Sequence, residues 1–417
     1  MANWFKRLWN DRRGNALLLA GAAMPLIIGS AGIATDTIQW VTTKRLLQRT
    51  ADSAAIAGVY AKMQSQTVGS AVATDITTNN QTKLSLNAGY PVISYPADTS
   101  NYTNAVDVTV AVQKKLAMSY FFTGTTPVIT ANARAGIVQT GDYCVVSLEP
   151  SSATGIDATG NTSLNLGCGM ITNSTSLSAA VATGSSSVTA SPIAAVGGIQ
   201  SSNNWATGTQ FLPFTVAQPD PFALVNPTLS SCVPGGQLRV QPGNSLDLSG
   251  AASACYSSAD IKGTLTLPTS TPLYINGGDM SVNAGAVITG TSSTIVFTNT
   301  SLSPTATIGS LSMNGNATVN LTAPTSGTYK GIAMYQDRRA SSLNQSTFNG
   351  DGSTFLQGAL YFPNQQLNYL GNAGASTNCV QMVARRVYFS GSSAINNTCP
   401  SGSGAGSFKG QHVRLVG

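Results

Sequence analysis

Residues 16–34, ALLLAGAAMPLIIGSAGIA, run for nineteen positions without a charge. At 1.5 Å per residue a helix of that length covers about the 30 Å hydrocarbon core of a bilayer. A run this apolar needs a core or a membrane to receive it, and the remainder of the chain is therefore read as cargo on an anchor. Lys6, Arg7, Arg12 and Arg13 precede it with only Asp11 against them, and cationic residues beside a first span stay cytoplasmic. The N-terminus is expected inside and the bulk of the chain outside. The alternative is a cleaved secretory signal, with Gly32-Ile33-Ala34 as its small-residue site. Such signals have a core of about 7–15 residues, shorter than this run, and a retained span is the favoured reading.

Residues 36–60 contain no proline and one glycine, and Ile33, Trp40, Leu47, Ala51 and Ala54 fall on one broad helical face. The span is therefore expected to continue as one long helix over residues 14–60. Its landmarks are ordered: Arg12-Arg13-Gly14-Asn15 before the run, Pro25 within it, Gly32 and Asp36 at its exit. Leu47-Gln48 and Ala51-Asp52-Ser53-Ala54-Ala55 follow. This set resembles the N-terminal segment of TadE/TadG-like Flp pilus-assembly proteins. The resemblance implies a single-pass protein of a bacterial inner membrane, with a cytoplasmic basic segment at residues 1–13 and a periplasmic bulk. It further implies a part in Flp pilus (type IV-like) biogenesis, with other Tad/Flp proteins as partners through the N-terminal helix. Two departures stand out. Pilin-like members cut by a prepilin peptidase carry Glu at the fifth position after the cleavage glycine, where this chain has Leu19. The Asp-x-Ser-x-Ser metal site of larger members is also missing, Asp351-Gly352-Ser353-Thr354-Phe355 being the nearest approach.

Charge sets further bounds. Residues 1–50 hold seven Lys or Arg against two Asp, which leaves about +1 of the net +6 for the remaining 367 residues. The basicity belongs to the anchor's topology, and nucleic-acid binding is not expected. Only 9% of residues are charged while 42% are hydrophobic, a balance that favours a packed β-rich structure over disorder.

Residues 61–140 read as a small α+β domain on the outer end of the helix. It starts polar and loop-like around Thr77 to Lys83. Val106, Val108, Val110 and Val112 then alternate as in a half-buried strand. Lys114 to Phe122 is a short amphipathic piece whose Tyr120, Phe121 and Phe122 are expected in the domain core, and a second strand follows from Pro127.

Residues 141–417 carry a loose repeat in which a glycine and small polar residues precede alternating apolar positions. It occurs at Gly160, Gly184, Gly243, Gly278, Gly315, Gly371 and Gly391. Repeats of this length mark stacked architectures. A parallel β-helix, or β-solenoid, is expected, with Leu164, Leu166, Val188, Val282, Val319 and Leu321 inward; a β-sandwich is the alternative. Six cysteines fit one disulfide per coil spacing: Cys144 to Cys168, Cys232 to Cys255 and Cys379 to Cys399. Residues 200–230, rich in Phe and Pro, read as an insertion covering one flank. Tyr335, Phe355, Tyr361 and Phe362 read as inward core layers. The expected fold class is mainly β: a single transmembrane helix, a small α+β domain and a disulfide-bonded parallel β-helix.

Catalytic signatures are lacking, and the chain is not expected to be an enzyme or to hold a cofactor or metal. The single histidine, His412, reads as a surface residue of the last strand. Asp220, Asp247, Asp260, Asp279, Asp337 and Asp351 form no acidic stripe, and Arg338 and Arg339 beside Asp337 read as a salt-bridge corner. A protein-binding scaffold is expected. The competing readings are an adhesin or solenoid binding envelope polysaccharide and, after it, a polysaccharide lyase or hydrolase.

Overall fold

The computed structural model describes residues 14–79, 85–227, 232–233, 235–269, 271–350, 353–371, 379–392, 394–396 and 406–417. Within them the chain divides into two units: one runs up to Val138 and takes in Val413–Gly417, the other is Gln139–His412.

The first unit is built on helix α1 (Gly14–Met63), whose 50 residues measure about 75 Å. After α1 come α2 (Val68–Thr74) and a π-helical turn (Asp75–Asn79), which takes in the start of the segment expected as a polar loop from Thr77 to Lys83; residues 80–83 are outside the described residues. Val68, Val72 and Ile76 supply the apolar side of α2 and this turn and are buried. A Cβ on Gly58 of α1 would sit 3.3 Å from both valines and 2.9 Å from Val106. The only glycine in this stretch of α1 thus marks its closest approach. Strands β1 (Val92–Ser94), β2 (Thr103–Gln113) and β3 (Val128–Ser147) pair antiparallel in the order β1-β2-β3. Val106, Val108, Val110 and Val112 lie in one core with Leu47, Ala51, Ala54, Ala55 and Val59 of α1.

The second unit is a β-solenoid of about ten turns, and its described strand pairings are parallel. The expected inward residues Leu164, Leu166, Val188, Val282, Val319 and Leu321 are in its core. At one corner the repeat glycines stack: a Cβ on Gly184 would meet Gly160 N at 3.2 Å, and one on Gly160 would meet Gly391 N at 3.2 Å. Gly160, Gly184 and Gly391 also have φ of 72°, 66° and 81°, which glycine adopts without the Cβ penalty. A side chain there would push neighbouring coils apart.

The order of coils departs from the order of the chain. The strand ending at Ser147 pairs on one side with Gly169–Thr172 and on the other with Cys379–Gly391. Ile156–Ala158 and Ser163–Asn165 likewise meet the closing coil, at Val387 to Phe389 and at Ala394 to Asn396. The first and last coils are therefore neighbours in the interior of the stack. Its two ends are the partial coil that runs from Ile199 through Trp205 to Phe211 and Leu212, stacked on the coil of Ile193–Ala195, and the coil of residues 238–256.

One face of the solenoid is buried on both sides. Ile193, Met170, Val145, Met382, Leu360, Met334, Phe297 and Leu273 point inward. Their alternates Ala194, Ile171, Val146, Val383, Tyr361, Tyr335, Val296 and Tyr274 form a second apolar cluster with Leu212, Phe222, Val225 and Phe408. That pattern of continuous burial is the mark of a strand covered on two faces. It corrects the expectation for the aromatics. Phe362 is a core residue, but Tyr335 and Tyr361 stack on the outer side, with ring centroids 5.1 Å apart, and Phe355 is only half-buried.

Candidate membrane-anchor and helix interface

Helix α1 changes environment along its length. From Leu19 to Trp40 its large apolar side chains, among them Leu26, Ile27, Ile28, Ile33 and Ile38, are exposed. Within this helix one window meets the length and hydropathy of a membrane span. Beyond it Thr43, Leu47, Thr50, Ala51, Ala54 and Ala55 are buried in the first unit. The buried stripe starts at Asp36, only 4% exposed, and steps by seven, four and three to Thr43, Leu47 and Thr50. The face expected from the sequence, headed by Ile33 and Trp40, is thus rotated. Those two are 64% and 43% exposed while Asp36 and Thr43 lead the stripe.

Asp36 is buried because a short helix satisfies it. Helix α3 (Ala117–Thr123) has no side-chain cap of its own at Leu116. Instead the Asp36 carboxylate accepts hydrogen bonds from Ser119 N at 2.5 Å, Ser119 Oγ at 2.8 Å and Met118 N at 3.2 Å. The first N–H groups of a helix lack internal partners, and an acidic side chain is the natural acceptor for them. One turn back, a Cβ on Gly32 would fall within 2.0 Å of Met118 Cε. Gly32 and Asp36 together dock α3 on α1. Nothing in the spacing of residues 117–123 signals this, since the partner lies more than eighty positions away.

Other landmark residues are also placed. Gln48 Nε2 donates to Asp52 Oδ1 at 2.8 Å and to Asn132 O on β3 at 2.9 Å, and Lys44 donates to Thr130 O. Leu47, Ala51, Ala54 and Ala55 are fully buried against the unit's sheet. These residues fix the helix to its own domain, and between Leu19 and Trp40 the large apolar side chains stay exposed while Gly32 and Asp36 hold α3. Pro25 lies within α1, and Gly14 and Asn15 open it; Arg12 and Arg13 are outside the described residues. The expectation for Phe121 and Phe122 is corrected: no residue of α3 is buried, and the two rings are 79% and 73% exposed.

In the second unit, disulfides join Cys144 to Cys168 and Cys232 to Cys255, with Cα atoms 5.8 Å and 5.4 Å apart. Cys379 is disulfide-bonded as well, and its expected partner Cys399 is outside the described residues. The segment after residue 205 serves as a connector between the two ends of the stack. Phe211 pairs with Ile193, and Gln218 N donates to Asn173 Oδ1 at 2.7 Å. Asp220 accepts from Tyr361 OH at 2.6 Å and from Arg338 Nε at 3.1 Å. Val225 O accepts from Tyr335 OH at 2.9 Å, and Cys232 reaches Cys255 on the far coil. The nine inter-strand steps from Phe211 to Cys255 make about 43 Å at 4.8 Å each. An extended chain over residues 211–232 has ample reach, about 70 Å.

Arg338 is the connector's main clamp, also donating to Phe222 O and to Val225 O at 3.0 Å. Arg339 meets Asp337 at 2.7 Å. Replacing Arg338 with alanine should free the connector at a cost of about 2 kcal/mol, from one half-exposed ion pair and its backbone hydrogen bonds. Faster limited proteolysis within residues 206–227, with an otherwise intact solenoid, is the readout. His412 is not at the surface. It is 6% exposed, with Nε2 3.0 Å from Tyr143 OH and Nδ1 3.3 Å from Thr215 Oγ1.

No curated protein and no solved structure matches this chain. Residues 14–64, the span of α1 with the turn that follows it, match the model of the Tad family, described as Flp pilus-assembly TadE/G-like, and this segment is what the chain shares with that family.

Proposed function

We propose that this chain is a single-span assembly protein of the Flp/Tad pilus, anchored in a bacterial inner membrane with its N-terminus cytoplasmic and the chain beyond the span periplasmic. The family match over α1 carries the reading and supports a pilus-assembly role. The exposed stretch from Leu19 to Trp40 adds a surface for lipid and for partner helices, and disulfides suit an oxidising compartment. The work is binding. The solenoid gives a long rigid body whose ends are tied by the connector, suited to hold pilus components at a distance from the membrane.

A catalytic role is not favoured by the placement of the acids. Asp220, Asp337 and Asp260 are engaged by Arg338, Arg339 and Lys262. Asp247 and Asp279 accept from Ser249 N and Ser310 N, each at 2.8 Å, and Asp351 is outside the described residues. A cleft of about 400 Å³ is lined by hydroxyl residues such as Thr269, Thr271, Ser292 and Thr294 with Tyr274 and Tyr329, and by no carboxylate. A glycosidase needs a facing pair. The test is crosslinking in native membranes, followed by capture and N-terminal sequencing. An intact N-terminus with pilus-secretion components attached is the expected result. A chain starting near residue 35 without them would remove the anchored-scaffold reading.

A further inference from the structure

Helix α3 is a puzzle for a water-soluble surface. It lies against α1 at Gly32 and Asp36, where the uncharged run ends, and turns two adjacent phenylalanines outward, with centroids 5.2 Å apart. Gly124, at φ 65°, closes the helix immediately after them. The exposed apolar surface of α1 passes this level on both sides, through Ile33 and on to Ile38 and Trp40. Just before α3, Lys114 and Lys115 are exposed, and Lys115 Nζ sits 3.9 Å over the Tyr120 ring. An acid at the end of a span is costly unless it is shielded, and α3 supplies Asp36 with two backbone donors and a hydroxyl.

We propose that α3 is a membrane-interface foot: Phe121 and Phe122 enter the acyl boundary of the leaflet at the C-terminal end of the span, and Lys114 and Lys115 face anionic headgroups. The ligand is the phospholipid surface itself. Aromatic residues favour this level of a bilayer. An amphipathic segment with basic residues beside aromatic ones lies in the interface plane, and here Asp36 and Gly32 set its depth. The foot would fix the tilt and rotation of α1, because a second contact removes the freedom a lone span has. The inference rests on the anchored reading of α1.

The test uses the full chain in vesicles of phosphatidylethanolamine and phosphatidylglycerol, with Phe122→Trp as the reporter and Leu177→Trp, at an exposed position of the solenoid, as the control. Lipid brominated high in the acyl chain should roughly halve the added emission at position 122, because interfacial helices bury their apolar face about 5–10 Å deep. Aqueous iodide should leave it unchanged while quenching the control. Quenching by iodide and not by bromine would place α3 in water and overturn the proposal, and protection from both would assign the rings to a protein partner and overturn it too. Flotation of the same vesicles separates the two readings. A chain that does not float defeats the anchor and the foot together, whereas a floating chain with an iodide-accessible reporter defeats the foot alone.

Discussion

Glu149→Ala should destabilise the second unit by about 3 kcal/mol, the penalty of breaking a buried ion pair from one side. This is the chain's single glutamate, and its side chain is fully buried. Its carboxylate accepts from Arg385 Nε at 3.0 Å, Arg386 Nε at 2.5 Å, Ser151 N at 3.0 Å and Ser151 Oγ at 2.7 Å. The clasp sits where the first coil meets the last, next to the bond from Leu148 N to Ala384 O. Alanine would leave two guanidinium groups side by side across that join. A lowered denaturant midpoint checks the prediction, and an unchanged midpoint would refute it.

The same clasp sets a pH dependence. Burial opposes ionisation of Glu149, but the hydrogen bonds from Ser151, Arg385 and Arg386 outweigh it and hold the carboxyl at about 2. Because the folded value lies below the unfolded one, near 4.5, the stabilisation is complete above the unfolded value. It is lost as pH falls from there towards about 2. Glu149→Gln should flatten that part of the stability profile. Its persistence in the glutamine variant would assign the dependence to other carboxylates.

Phe389→Ala should cost about 4 kcal/mol, within the range for emptying a fully buried aromatic site. Phe389 is in the closing coil, wholly buried, with its ring centroid 6.2 Å from Tyr369, which in turn stacks on Phe348 at 5.5 Å. On its other side the register partner is Ala158 of the first coil, too small to fill the hole. Phe389→Leu keeps most of the volume and should cost much less. Equal losses for the two variants, measured by equilibrium unfolding, would show that the join does not depend on this packing.

Much of the architecture is legible in the residues because it depends on local rules. An uncharged run of nineteen residues makes a span-length helix wherever it is placed, and alternation at Val106 to Val112 makes a half-buried strand. The repeat of glycine followed by alternating apolar residues makes coils, since each coil needs its neighbour to bury one face. The cysteines follow from coil spacing for the same reason, at Cys144–Cys168 and Cys232–Cys255. The double burial along one face was also written in the sequence, in runs such as Ile295–Thr298 and Ile332–Gln336 that do not alternate. Aromatic content, the basis for expecting Tyr335 and Tyr361 inside, does not tell inside from outside.

What the sequence could not carry was the pairing of distant segments. The join of the first and last coils brings Val145 beside Met382 and Ile156 beside Val387. Every coil edge offers the same backbone groups, so hydrogen bonding alone cannot choose the stacking order. Shape and the Glu149 clasp choose it, and the connector then has to cross the stack. The same limit holds along α1. Hydrophobicity put Ile33 and Trp40 on the packed face, whereas the fold turned them outward and buried Asp36 instead. In a membrane an apolar face would need no protein cover and a charge would, and α3, folded back from more than eighty residues away, supplies the donors that satisfy Asp36.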